Sequence, residues 1–173
     1  MAHAIELPAL TASSCQAPVM LKVGSAAPAF EVRLHSGEFF RLADLRGKKH
    51  LVLYFYPRDF TYGCTKEACA FRDQYDEIAR LGAVLLGVSR DSKERHQEFA
   101  RTHQLPFPLI SDPDVTLART YDVGSTIGLF VKRITYVIDS SGMIRGVFHH
   151  EVVVARHWKR TIELLQALNG TSQ

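Results

Sequence analysis

The chain has 173 residues, 46% apolar and 23% charged, the composition of an ordinary globular domain long enough to bury a full core. Its formal net charge of +3 comes from scattered basic residues, so neither nucleic acid nor an anionic membrane is the expected partner. Three cysteines are too few, and odd in number, for a secreted disulfide scaffold.

Residues 1–20 are rich in Ala, Ser, Thr and Pro without a clear period, and they read as a loose extension carrying Cys15. The stretch has no Lys or Arg and no sustained apolar segment, so it does not read as a signal peptide. No apolar run reaches the roughly 18 residues that a membrane span needs. The expected compartment is therefore the cytoplasm, and the remaining chain, 21–173, is expected to be one domain.

From Phe30 the segment "FEVRLHSGEFFRLADL" predicts a β-hairpin turning at Ser36–Gly37. "LVLYFY" is a continuous apolar and aromatic run, the pattern of a strand buried on both faces. A helical period follows, with Ala68, Phe71, Tyr75 and Ile78 on one face and Gly82 as its stop. "AVLLGVS" predicts a second buried strand. "DSKERHQEFARTH" predicts a helix capped by Asp91 or Ser92, read as a solvated amphipathic face. "FPLISD" predicts a short strand and "PDVTLARTY" a short helix with Pro113 near its first turn. "RITYVID", "SSG" and "MIRGVFH" form a strong hairpin signal. The closing "ARHWKRTIELLQAL" predicts a helix whose Trp158, Ile162, Leu165 and Leu168 face the core. Strands alternating with helices, then a hairpin and a last helix, describe an α/β sandwich with a mixed sheet, for which the thioredoxin-like fold is one candidate.

The chemistry concentrates in "YPRDFTYGCTKEAC", residues 56–69, where two of the three cysteines stand five residues apart as a strand turns into a helix. At a helix start, unpaired N–H groups and the positive end of the dipole favour a thiolate. A free cysteine with a pKa near 8.5 is only about 3% thiolate at pH 7, and lowering that value to roughly 6 makes it about 90% thiolate. The gain is about 30-fold, or ~2 kcal/mol, so a fast thiol enzyme also needs its leaving group stabilised. Thr61 can offer a hydroxyl near Cys64, Pro57 can shape the exit from the strand, and Arg133 at the start of a buried strand can supply a cation. Taken singly, each residue also fits a bland role: buried small hydrophobes for the cysteines, a turn residue for Thr61, a surface charge for Arg133. A dithiol-disulfide oxidoreductase and a redox-sensing or holdase module remain alternatives at this level. A zinc site is not expected, because no Cys-x-x-Cys or His-x-x-x-His spacing exists and the adjacent His149 and His150 would point to opposite faces of a strand.

The segment "FYPRDFTYGCTKEACAFRD" closely resembles the peroxiredoxin active-site stretch, whose core is Pro-x-x-x-Thr-x-x-Cys. Pro57, Thr61 and Cys64 match it, and a second cysteine five residues on resembles the Q-type branch, the bacterioferritin comigratory protein subfamily. "LKVGSAAPAFEV", "LGVSRDS" and "RITYVIDSSGMIRGVF" extend the resemblance over about residues 21 to 169. It implies a thioredoxin-like fold, a mixed central sheet flanked by helices with an N-terminal β-hairpin. The implied activity is that of a thiol peroxidase reducing hydrogen peroxide and organic hydroperoxides without metal or bound organic cofactor. By the same resemblance Cys64 is the peroxidatic cysteine and Cys69 the resolving one. Thr61 and Arg133 bind and polarise the peroxide, Pro57 shields the pocket and Glu67 holds Arg133. The implied partner is thioredoxin or a similar dithiol, and the implied state is a monomer or weak dimer. Three features depart from the pattern: Tyr62 stands where the family usually has another proline, the extension with Cys15 lies outside the common pattern, and "GSTIGLFVK" before Arg133 is unusually apolar for the branch.

Five residues on one regular helix give a rise of about 7.5 Å and place the two Cα atoms roughly 8.6 Å apart. A disulfide needs less than about 7 Å, so the pair cannot close while that helix stays intact.

Overall fold

The computed structural model describes residues 21–123, 131–149 and 155–170. The expected loose extension with Cys15 and most of the apolar stretch "GSTIGLFVK" lie outside the described residues, as does His150.

The architecture follows from the buried run. Strand β3 (His50–Phe55) sits at the centre of a five-stranded sheet, parallel to β4 (Ala83–Ser89) and antiparallel to β6 (Ile134–Ile138). Strands β5 (Leu109–Ser111) and β7 (Ile144–His149) form the edges, giving the order β5-β4-β3-β6-β7. Alternate side chains of β3 point to opposite faces, so two cores form. Leu51, Leu53 and Phe55 join a core with Leu117 and Ala118 of α4 (Thr116–Thr120). Val52 and Tyr54, with Tyr56 just beyond the strand, join the opposite core. There they meet α1 (Tyr62–Asp73), α2 (Tyr75–Arg80), α3 (Lys93–Thr102) and α5 (Ala155–Gly170).

The N-terminal hairpin pairs β1 (Glu31–Arg33) with β2 (Phe39–Arg41) and turns at Gly37, whose φ of +97° suits glycine. The β6–β7 hairpin and the last helix also stand as expected, with Leu165 fully buried and Trp158, Ile162 and Leu168 packed around it. This is the mixed-sheet α/β fold of the thioredoxin-like class. Among the described residues no helix is long and apolar enough to cross a membrane.

Three local expectations need correction. The helical period from Ala68 to Ile78 spans two helices, because the backbone leaves helical geometry at Gln74 (φ −110°, ψ 5°). No Gly or Pro marks that break, so periodicity alone runs through it. Pro113 precedes its helix rather than opening it. Helix α4 begins at Thr116 behind Val115 (φ +58°), and the Asp112 carboxylate accepts from the Leu117 and Ala118 amides. Helix α3 is capped by Ser92, whose hydroxyl accepts from the Arg95 amide, but it is not simply a solvated face. It buries His96, Phe99 and Ala100.

Gly87 on β4 makes the close packing around β3 possible. A Cβ there would lie 2.7 Å from Leu109 Cδ2 and from Cζ and Oη of Tyr54. Gly87→Ala is expected to lower unfolding stability by about 1–3 kcal/mol in urea denaturation, because backbone and ring must part to admit the methyl group.

Candidate active site

The loop leaving β3 and the first turn of α1 deliver the sulfur. Thr61 is the N-cap residue of α1, with extended backbone (φ −82°, ψ 147°), and Cys64 lies in the first turn, 2% exposed. The four N-terminal N–H groups of a helix lack intrahelical partners, and the Thr61 side chain makes no cap hydrogen bond here. The helix therefore presents unneutralised positive partial charge beside the Cys64 sulfur.

Arg133 arrives from the opposite direction, one residue before β6, and is buried with the thiol. Its Nη2 donates to Cys64 Sγ at 3.3 Å, while Nη1 donates to the buried carboxylate of Glu67, one turn further along α1. Helical spacing of three residues puts Cys64 and Glu67 on one face, so a single guanidinium bridges both. Burial works against the Arg133 charge, but Glu67 and Cys64 outweigh it and hold its pKa above the ordinary value. The cation is thus permanent. Gly63 makes room for it, since a Cβ at that position would stand 3.2 Å from Arg133 Nη2.

The structure brings Cys64, Glu67 and Arg133 together around one guanidinium. Thr61 makes a local contact. Its hydroxyl donates to the Arg58 carbonyl at 3.1 Å, not to the sulfur. With that proton engaged, the lone pairs of Oγ1 are left to accept a bond. Pro57 is half-buried where the chain leaves β3. Cys69 lies on the same continuous helix as Cys64, half-buried, and both thiols are free. It lines a surface groove of about 600 Å³ with Phe60, Tyr62, Thr65, Lys66, Ala70 and Asp73. Tyr62 is 79% exposed on the rim, and the Lys66 ammonium lies 4.8 Å from its ring centroid.

Several groups escaped sequence reasoning. Asp59 is fully buried beside the loop, although in "PRDFT" it reads as a turn residue. His96 is also fully buried; its spacing of three and four from Phe99 and Ala100 was the available signal. The Tyr54 hydroxyl is buried without a hydrogen-bond partner among the described residues. Burial, then the charges of Glu67, Asp59 and Cys64, push its pKa well above the ordinary phenol value, so the ring stays neutral.

Fold and site together define a thiol-active protein of the thioredoxin-like class, with a buried arginine on one cysteine. Comparison with known proteins agrees. Residues 23–147 match the AhpC/TSA family. Peroxiredoxin Bcp of Bacillus subtilis is 42% identical over 159 residues, covering 88% of this chain and 98% of that one. Among solved structures, peroxidoxin BcpB from Mycobacterium tuberculosis superposes with a TM-score of 0.80 at 34% identity, covering 86% of this chain and 98% of that chain. The bacterioferritin comigratory protein of Xanthomonas campestris, described for its alkyl peroxide reduction activity, gives 0.76 at 32% identity, covering 87% and 99%. The chain belongs to the AhpC/TSA family, in its peroxiredoxin Q/Bcp branch, and is a thiol-dependent peroxidase that acts on peroxides and is reset by a thiol reductant.

Gly63→Ala tests the fit around Arg133, because the added Cβ crowds the guanidinium out of its place between Cys64 and Glu67. Displacement of the guanidinium from the sulfur is expected to slow Cys64 oxidation by peroxide about tenfold, read by stopped-flow kinetics.

Proposed function

We propose that Cys64 is the peroxidatic nucleophile, Cys69 its resolving partner, and Thr61, Arg133 and Glu67 the groups that hold and polarise the peroxide, with Pro57 shielding the pocket. The observation that carries this reading is the buried Arg133 guanidinium, donating to Cys64 Sγ at 3.3 Å with Glu67 fixed behind it. A thiolate attacking an O–O bond transfers oxygen to sulfur and expels hydroxide or alkoxide. Charge therefore moves from sulfur to the departing oxygen, beside the cation placed to receive it. Thr61 Oγ1, its own proton engaged by Arg58, accepts from the peroxide O–H and orients the attacked oxygen. Protonation of the expelled oxygen gives water or an alcohol, and Cys64 is left as a sulfenic acid.

The Cys69 thiolate then attacks the Cys64 sulfur, a disulfide forms, and the sulfenic oxygen leaves as water. Both residues belong to one helix, α1, whose ideal geometry keeps the Cα atoms roughly 8.6 Å apart, beyond the reach of a disulfide. The first turns of α1 must unwind, and the uncapped N-terminus makes this end the easier one to open. A dithiol such as thioredoxin resets the pair. Hydrogen peroxide and small organic hydroperoxides are the substrates; the alkyl peroxide activity described for the Xanthomonas campestris protein supports the second. Residues 21–173 act as one domain, in the cytoplasm, as a monomer or weak dimer.

A disulfide map after one equivalent of hydrogen peroxide tests the cycle. Trypsin should release Cys64 in "DFTYGCTK" and Cys69 in "EACAFR". The two peptides joined, and absent in Cys64→Ser, is the expected result. Cys64 found as sulfenic or sulfinic acid, or linked to Cys15, would remove Cys69 from the cycle.

A further inference from the structure

The mechanism leaves unused a buried polar network directly upstream of the reactive helix. Asp59 is held on every side. Its amide donates to Asp91 Oδ2 at 2.7 Å, and its carbonyl accepts from Arg95 Nη2 at 3.3 Å. Its carboxylate accepts from the Tyr56 hydroxyl at 2.7 Å through one oxygen and meets His96 Nδ1 at 2.7 Å through the other. The other ring nitrogen of His96 faces the Ile110 carbonyl at 3.1 Å. Each ring nitrogen thus faces an oxygen, and the ring is held at both ends. Asp91 is fixed in turn by the Ser89 hydroxyl at 2.8 Å and by Arg95.

Phe60 adds a second anchor. Its backbone is in the left-handed region, φ +60°, a conformation that a bulky residue keeps only when its surroundings enforce it. Its ring contacts reach α3 and the residue after it. The ring stacks edge-on against Phe99 at 5.1 Å, lies 5.9 Å from His103, and carries the Arg95 guanidinium over its face at 5.1 Å. The next two residues are less restrained: Thr61 is exposed, its hydroxyl bonded to the Arg58 carbonyl, and Tyr62 stands in solvent.

We propose that His96 is a positioning residue for the peroxidase cycle: through Asp59, with Phe60, it pins the loop to α3 as a fixed pivot while α1 unwinds from Thr61 onward to bring Cys64 to Cys69. The inference rests on the Cys64–Cys69 resolving step. Extending the unwinding upstream of Phe60 would strip partners from a buried carboxylate and a buried imidazole together, in addition to the helical bonds and the Arg133 contact of Cys64 that the resolving step itself gives up. A pivot that stays docked also returns Pro57 and Thr61 to the same place each time the disulfide is reduced.

Residue-resolved amide exchange by NMR, on the full chain reduced and peroxide-oxidised, tests this. On oxidation the Asp59 amide is expected to keep its protection within about threefold, while the Thr65 amide, bonded to the Thr61 carbonyl in the reduced form, exchanges about a hundredfold faster. Equal acceleration at both positions would overturn the pivot. Mass analysis of the same oxidised sample separates the two claims, since absence of a Cys64–Cys69 bond refutes the resolving step itself and the pivot with it. In His96→Leu the Asp59 amide should lose protection on oxidation as Thr65 does, and Cys64 oxidation should slow about ten- to a hundredfold, with partial recovery in His96→Gln. Should His96→Leu fail to fold, Phe60→Gly tests the same claim, because glycine keeps the backbone conformation and removes only the ring contacts. A variant with a lower unfolding midpoint but unchanged exchange at Asp59 and unchanged oxidation rate would make His96 purely structural.

Discussion

A buried cation held between a carboxylate and a thiol is the constraint from which the site is built. Arg133, 6% exposed, and Glu67, 1% exposed, form a buried ion pair in which each charge lowers the cost of burying the other. Breaking such a buried pair by removing one member costs about 3–5 kcal/mol. The pair therefore fixes where β6 begins relative to α1, and it does so at the residue that also touches Cys64. Stability and chemistry share one contact.

The sheet explains why these groups converge. β3 and β6 are antiparallel neighbours, with Phe55 at the end of β3 opposite Ile134 at the start of β6. The loop carrying Pro57, Asp59 and Thr61 leaves one strand beside the point where Arg133 enters the other. At this junction Gly63, with no side chain, leaves room for the guanidinium.

Much of this was legible in the sequence, and for identifiable reasons. β3 is buried on both faces, so "LVLYFY" needs no partner to be recognised, and the hairpins declare themselves through Ser36–Gly37 and "SSG". Cys64, Thr61 and Pro57 could be placed because their spacing resembles a known active-site stretch. Asp59 and His96 could not. They meet across 37 positions in sequence, and what keeps them buried is the partner each finds in three dimensions. Thr61 was placed correctly on the loop, yet its hydroxyl direction depends on the turn at Arg58, which residue spacing does not encode. The break at Gln74 had no residue to announce it.

The central claim is that the Arg133 cation, acting directly on the sulfur and the departing oxygen, accelerates the attack on peroxide. Chemical rescue tests it most directly. Arg133→Ala should reduce the second-order rate constant for Cys64 oxidation by about 10²–10³, the usual consequence of losing one preorganised donor. Added guanidinium ion should then restore part of that rate in saturable fashion, at concentrations too low to unfold the protein, while leaving the parent protein unaffected. A variant that oxidises as fast as the parent would contradict the account. So would a slow, folded variant indifferent to guanidinium ion, because the effect of Arg133 would then lie in packing and not in charge.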